Sequence, residues 1–220
     1  MAISTSKTLL VPYCEHHVST YHRWMQDQEL QNLTASEPLT LEEEHTMQRS
    51  WQTDRDKLTF IICLHSAASR ETGEDMIGDV NLFLTNGGGR DGDEGVVGEV
   101  ELMIAEEDMR GKGLGRAGLL AFLKFVTEHL EEILKEFQGG EKGEEEGLEY
   151  MRVRISEGNI KSIRLFESLG FQKIREEPNF FGEVELRTRG LTVARVDALL
   201  ERYSIAGYQE IEYRGRLGSV

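Results

Sequence analysis

Two features of this 220-residue chain could do chemistry. The first is a pair of glutamates in the stretch EVELMI, Glu99 to Ile104. On an extended strand Glu99, Glu101 and Met103 share one face and leave Val100, Leu102 and Ile104 to the other. Two carboxylates this close raise the pKa of one of them, which suits a base that takes a proton directly or through water. The second is RGKGLGRAG, Arg110 to Gly118, which puts four glycines and three cations into nine residues of an acidic chain. Small residues let backbone N–H groups converge, and a helix N-terminus adds partial positive charge, so the turn is suited to a pyrophosphate. Counted from Gly113 it fits the dinucleotide fingerprint GxGxxG. A Rossmann turn, however, follows its strand almost directly and needs an acidic residue about 20 positions on. Here AEEDMR intervenes, and the following strand does not end until about Ile155. The strands before the turn also arrive without helices between them, which sets the dehydrogenase reading aside.

The elements that must position these residues follow from pattern and punctuation. TLLVPY reads as a strand. Trp24, Met25, Leu30 and Leu33 give a first helix a loosely spaced apolar face, and Thr40 with Glu43 marks the capping-box start of a second, on which Met47 and Trp51 share a side. LTFIICL and MIGDVNLFL predict two neighbouring strands before EVELMI. After the glycine turn, apolar residues from Leu119 to Phe137 recur at three and four, a helix with one stripe toward a sheet. YMRVRI is the next strand, NIKSIRLFESLG a short helix closed by Gly170, and FQKIRE and FFGEVELR two further strands. The glycine- and acid-rich stretches 86–98 and 138–147 read as exposed loops, and residues from Leu191 as an added helix and a loose tail.

Composition limits the partners. Hydrophobic residues make up 39%, no apolar run reaches the length of a membrane span, and the N-terminal stretch lacks the apolar run of a signal peptide, so the expectation is a soluble, cytoplasmic protein. A net charge of -15 repels phosphate backbones and argues against nucleic acid. The two cysteines, Cys14 and Cys63, form no disulfide framework, and Cys63 lies in an apolar run as a core thiol would. His16 and His17 are adjacent and lack the helical spacing of a ligand pair, and Asp91, Asp93 and Gly95 lack the remaining ligands of a calcium loop, so no metal is expected.

Counted from Arg110 instead, the turn is a cation, two residues, Gly113, one residue, Gly115, then a long amphipathic helix. This resembles the acyl-CoA loop of the GNAT acetyltransferase superfamily. Asn159, Ser162, Leu165, Phe166, Leu169, Gly170 and Phe171 stand where that superfamily's second element would place them, in the right order after the first. ELQNLTASEPLTLEEEHTMQRSW, GDVNLFL and EVELMIAEEDMRGKGLG narrow the resemblance to the N-acetyltransferase 9-like branch, which is similar to the RimJ/RimL-type protein acetyltransferases. The likeness runs from about Leu9 to Leu191. It implies an α/β (α+β) fold with a central mixed, mostly antiparallel sheet of about six to seven strands flanked by helices. The domain would span 1–190, with 191–220 a C-terminal helix and tail.

The resemblance also implies roles. The co-substrate would be acetyl-CoA, its pyrophosphate held by Arg110, Gly111, Lys112, Gly113, Leu114 and Gly115. The pantetheine amides would pair with the backbone of Met103, Ile104 and Ala105, and Asn159, Ser162 and Phe166 would complete the cofactor site. Glu99 stands eleven residues before Arg110, the spacing of the superfamily's glutamate base, and so ranks ahead of Glu101. The alternative for both is a pair of solvated strand-edge acids. Where superfamily members often carry a tyrosine to protonate the leaving thiolate, this chain has Phe166; water, or Tyr150, would have to serve. The implied acceptor is a primary amine of a protein or peptide, with an N-terminal α-amine favoured. Two other readings stand beside it: a weakly active protein that docks on microtubules, to which the branch is linked, and a small-molecule acetylase of the polyamine type.

Overall fold

The computed structural model describes residues 1–34, 36–65, 75–87, 95–139 and 146–213. The apolar runs become strands of one sheet: β1 (Ala2–Ser4), β2 (Thr8–Pro12), β3 (Lys57–Leu64), β4 (Met76–Asn86), β5 (Val96–Ile104), β6 (Leu148–Ser156), β7 (Gln172–Lys173), β8 (Glu183–Thr188) and β9 (Gln209–Ile211). Their spatial order is β7-β8-β6-β5-β4-β3-β2-β1-β9. Among the described residues β5 and β6 make the parallel pair, and every other pairing is antiparallel.

Helices cover both faces, which is why β3 buries Phe60 to Cys63 without a break instead of alternating. On one face lie α4 (Leu114–Glu128), α5 (Leu130–Phe137), α6 (Ile160–Ser168) and α7 (Val193–Arg202), and this core takes in Val100, Leu102 and Ile104 of β5. On the other lie α1 (Val18–Trp24), α2 (Gln28–Thr34) and α3 (Leu41–Thr53), whose smaller core includes Met103. The split of β5 into two faces therefore holds. So does the start of α3: the Thr40 hydroxyl accepts from Glu43 N, and the Glu43 carboxylate accepts from Thr40 N at 2.8 Å.

The sheet has nine strands where about six to seven were expected. The additions are β1 and β9, three residues each, which pair with each other and are too short to show a period. The helix expected through Phe137 breaks at His129, whose φ of -109° and ψ of 18° leave the helical region and start α5. The first helix likewise divides into α1 and α2. The strand expected at FFGEVELR begins only at Glu183: Phe180 and Phe181 are 97% and 81% exposed, on a turn made by Gly182 at φ +75°. Residues beyond Leu191 are no appendage in this fold, because β9 extends the sheet and α7 buries Val196 and Leu200 in the main core. The acid-rich stretches at 91–94 and 140–145, with Asp91 and Asp93, and the tail from 214 lie outside the described residues.

Candidate active site

The parallel pairing of β5 with β6 runs from Val96 opposite Leu148 to Glu99 opposite Arg152 and stops there. β5 continues to Ile104 beside β4, β6 continues to Ser156 beside β8, and the two diverge. The opening leaves one edge of β5 unpaired just where Glu101 stands. The alternation of the ladder decides which backbone groups face it. Ala105 N donates to Ile77 O of β4, and the Met103 carbonyl lies against Gly78, so close that a Cβ built there would be 1.9 Å from it. Met103 is thus turned toward β4, away from the opening. Ile104 faces the opening, but its carbonyl accepts from Arg110 Nε at 2.9 Å, and the Ala105 carbonyl accepts from Arg110 Nη2 at 3.1 Å. Arg110, expected to meet a phosphate, ties the glycine turn to the end of β5 in this structure.

The turn divides its glycines between two tasks. Gly111 and Gly113 have φ of +73° and +79°, with nothing near the position a Cβ would take. Gly115 and Gly118 lie against Ile104 and Ile62, where a Cβ would sit 3.3 and 2.9 Å from side-chain carbons; they let α4 approach the sheet. Gly113 is the N-cap of α4, and no side chain among the described residues caps it. Its first intrahelical bond is Ala117 N to Gly113 O, so the N–H groups before Ala117 remain without helical partners. Beside the exposed Lys112 they form a donor cluster of the kind a pyrophosphate fits.

The two glutamates differ sharply. Glu99 accepts from Arg154 through both oxygens at 2.7 and 2.9 Å, and from Arg152 Nε at 3.0 Å. Its lone pairs are spent on two guanidiniums. Glu101 reaches solvent on one side and is closed in by protein on the others. That loss of hydration, with Glu99 and then Asp79 as negative neighbours, pushes its pKa up to about 7. Asn159 caps α6, its side-chain oxygen accepting from Ser162 N at 3.2 Å, a bond that does not use the amide nitrogen. Phe166 is buried with its ring edge against Phe171 at 5.2 Å, and Tyr150 is buried with Arg187 and Arg189 over its ring.

Other polar residues of this face escaped the sequence reading. Asp79 and Asn81 sit in β4 inside an apolar run, and both are buried. Asn81 Nδ2 donates to Asp79 Oδ2 at 2.8 Å, and Tyr21 of α1 donates to the same oxygen at 3.4 Å. Burial pushes the Asp79 pKa up to about 6. The signal was available: two amide- or acid-bearing residues at alternate positions of GDVNLFL fall on one sheet face. At the end of β2, Cys14, His16 and His17 place one donor atom each within 4.8 Å of one another, a proximity that spacing in the sequence did not show.

The model of the Acetyltransferase (GNAT) domain matches residues 7–172. The chain belongs to the GNAT acetyltransferase family. It is 43% identical over 205 residues to the human alpha/beta-tubulin-N-acetyltransferase 9, covering 90% of this chain and 87% of that one. It is 39% identical over 214 residues to the N-acetyltransferase 9-like protein of Schizosaccharomyces pombe, covering 84% and 94%. These relatives put this GNAT member in the N-acetyltransferase 9-like branch and make it an acetyl-CoA-dependent acetyltransferase. A spermidine N-acetyltransferase from Vibrio cholerae, solved with CoA and spermine, superimposes with a TM-score of 0.64 at 16% identity, over 87% of this chain and 99% of that one. A domain from Methanocaldococcus jannaschii gives 0.58 at 22%, over 85% and 100%. At these identities the likeness is one of fold. Among the described residues no helix of this acetyltransferase is long and apolar enough to cross a membrane.

Proposed function

We propose that this acetyltransferase moves the acetyl group of acetyl-CoA to a primary amine of a protein or peptide in the cytoplasm, an N-terminal α-amine in preference to a lysine, with Glu101 as general base. The observation that carries the reading is the place of Glu101: an exposed carboxyl at the unpaired edge of β5, where the strands part, with the negative charges of Glu99 and Asp79 beside it. Spacing favoured Glu99, but both its oxygens are occupied by Arg152 and Arg154, and Glu99 acts here as the negative neighbour that tunes Glu101. An α-amine with a pKa near 8 gives up its proton to such a base more readily than a lysine near 10.4.

In the transfer Glu101 takes the amine proton, the nitrogen attacks the thioester carbonyl, the C–N bond forms and the C–S bond breaks. Phe166 has no proton to give and Tyr150 is buried, so the nitrogen's second proton, lost as the amide forms, passes through water to the leaving thiolate. The α4 N-terminus holds the pyrophosphate, and the Asn159 amide the pantetheine arm.

A macromolecular acceptor is favoured over a polyamine by Phe180 and Phe181. This exposed aromatic pair stands on the turn that leads into Glu183, whose charge is felt at Glu101. The human and Drosophila melanogaster relatives, both alpha/beta-tubulin-N-acetyltransferase 9, point the same way, toward tubulin as acceptor. Microtubule docking without catalysis is the second reading. Mass spectrometry of peptides incubated with acetyl-CoA tests the first: acetate should appear on N-terminal amines. Acetate on lysine alone, with blocked N-termini reacting equally well, removes the α-amine assignment; no turnover with any amine removes the catalytic one.

A further inference from the structure

We propose that the polar row behind Glu101 is a second recognition position, which takes a cationic side chain carried by the residue next to the acetylated amine. The inference rests on Glu101 marking the place of the amine. Glu101 of β5 is opposite Asn81 of β4, and Asn81 is opposite Thr59 of β3. The three side chains therefore share one face, in a line that crosses two strand spacings of about 4.8 Å each. Over this line α1 brings Tyr21 and α3 brings Glu44.

The row is short of donors and of positive charge. Asn81 Oδ1, Glu44 Oε2, and the hydroxyls of Thr59 and Tyr13 are all buried without a hydrogen-bond partner. Tyr13, Glu44 and Asn81 are 4%, 1% and 4% exposed, so solvent does not serve them. The first two of the four atoms accept only, and the hydroxyls can accept. Two carboxylates, Asp79 and Glu44, are buried here, and the basic side chain that meets Glu44 is the imidazole of His22, at 3.8 Å. Burial raises the pKa of both acids, as expected of carboxylates that lack a counter-ion. An ammonium or guanidinium supplies what is missing: several N–H donors in one group with a positive charge.

One amine cannot fill both places. An amine at Glu101 must also meet the thioester at the edge of β5, whereas Asn81 and Thr59 lie one and two strands further in. A lysine or arginine side chain on the adjacent residue spans that distance.

The test uses the full-length protein with saturating coenzyme A and two peptides that differ at the second residue, arginine against its neutral isostere citrulline. Calorimetry should show the arginine peptide binding about tenfold or more tightly, and kinetics should show the difference in KM with kcat little changed. Asp79→Asn and Glu44→Gln should shrink the ratio toward one. Equal affinities of the two peptides for the wild-type protein would overturn the proposal, and that comparison needs no variant to fold. Equal acetylation of both peptides would leave the N-terminal acetyltransferase reading intact. Spermidine carries a second cation on a flexible chain; if it were acetylated as well as the arginine peptide, the protein-acceptor reading would fall and the second-cation position would stand.

Discussion

The base is a matter of one carboxyl and its neighbours. Glu101→Gln should lower kcat about a hundredfold and leave acetyl-CoA affinity nearly unchanged, since general-base removal typically costs that much or more. For the wild type, activity should rise with pH through about 7, where Glu101 loses its proton. Glu99→Gln separates tuning from catalysis. It removes a negative neighbour that raises the Glu101 pKa and releases Arg154, whose charge lowers it, so the pH–rate profile should move to lower pH with activity retained. A profile that stays in place while kcat collapses would return the base to Glu99. Stability is linked to the same protons. Glu101 and Asp79 have folded pKa values raised above their ordinary 4.5 and 3.8, so the stabilisation each gives is present below those values. It is lost as pH rises through about 6 for Asp79 and 7 for Glu101. Thermal unfolding should show Tm falling over that window, and the fall should flatten in Asp79→Asn.

At the scale of elements, the glycine turn joins a ligand-facing half to a packing half, and two substitutions tell them apart. Gly113→Glu places a side chain at φ +79° where nothing is in the way. The backbone cost is about 1–2 kcal/mol, so the fold should persist. Acetyl-CoA binding should be lost, because bulk and negative charge sit on the N–H groups that await the pyrophosphate. Gly118→Val presses into Ile62 and pushes α4 from the sheet. It should lower stability by roughly 1–3 kcal/mol, read by urea unfolding. If Gly113→Glu bound acetyl-CoA as the wild type does, the turn would not be the phosphate site.

Across the whole molecule, the C-terminal segment closes the sheet and braces α4. β9 pairs with β1, Lys124 of α4 bonds Asp197 of α7 at 2.8 Å, and His129 bonds Glu210 at 2.9 Å. α4 is also the helix whose N-terminus we assign to the pyrophosphate, so support at 191–213 bears on the proposed site from a distance. Leu200→Ala should cost about 2–5 kcal/mol of stability by calorimetry, as for a buried aliphatic in a main core. A loss below about 0.5 kcal/mol would make the segment an appendage after all.

The chain by itself determined what depends on local pattern. The face of β5 follows from alternation, the start of α3 from the Thr40–Glu43 spacing, and the glycine turn from the way Gly113 and Gly115 open a strongly periodic helix. It did not determine where strands part or which acids lack partners. Glu99 ranked ahead of Glu101 on spacing, and only the ladder that brings β6 alongside supplies Arg152 and Arg154 to occupy it. Asp79 and Asn81 drew no reading in the sequence, because the contact that marks them out, Tyr21 of α1 on Asp79, exists only in the folded chain. β1 and β9, three residues each at opposite ends of the chain, carry no period and exist as strands because they pair with each other. Patterns of two to four residues are written in neighbouring positions. Hydrogen bonding, counter-charge and desolvation between residues fifty or more positions apart arise only when the sheet is assembled.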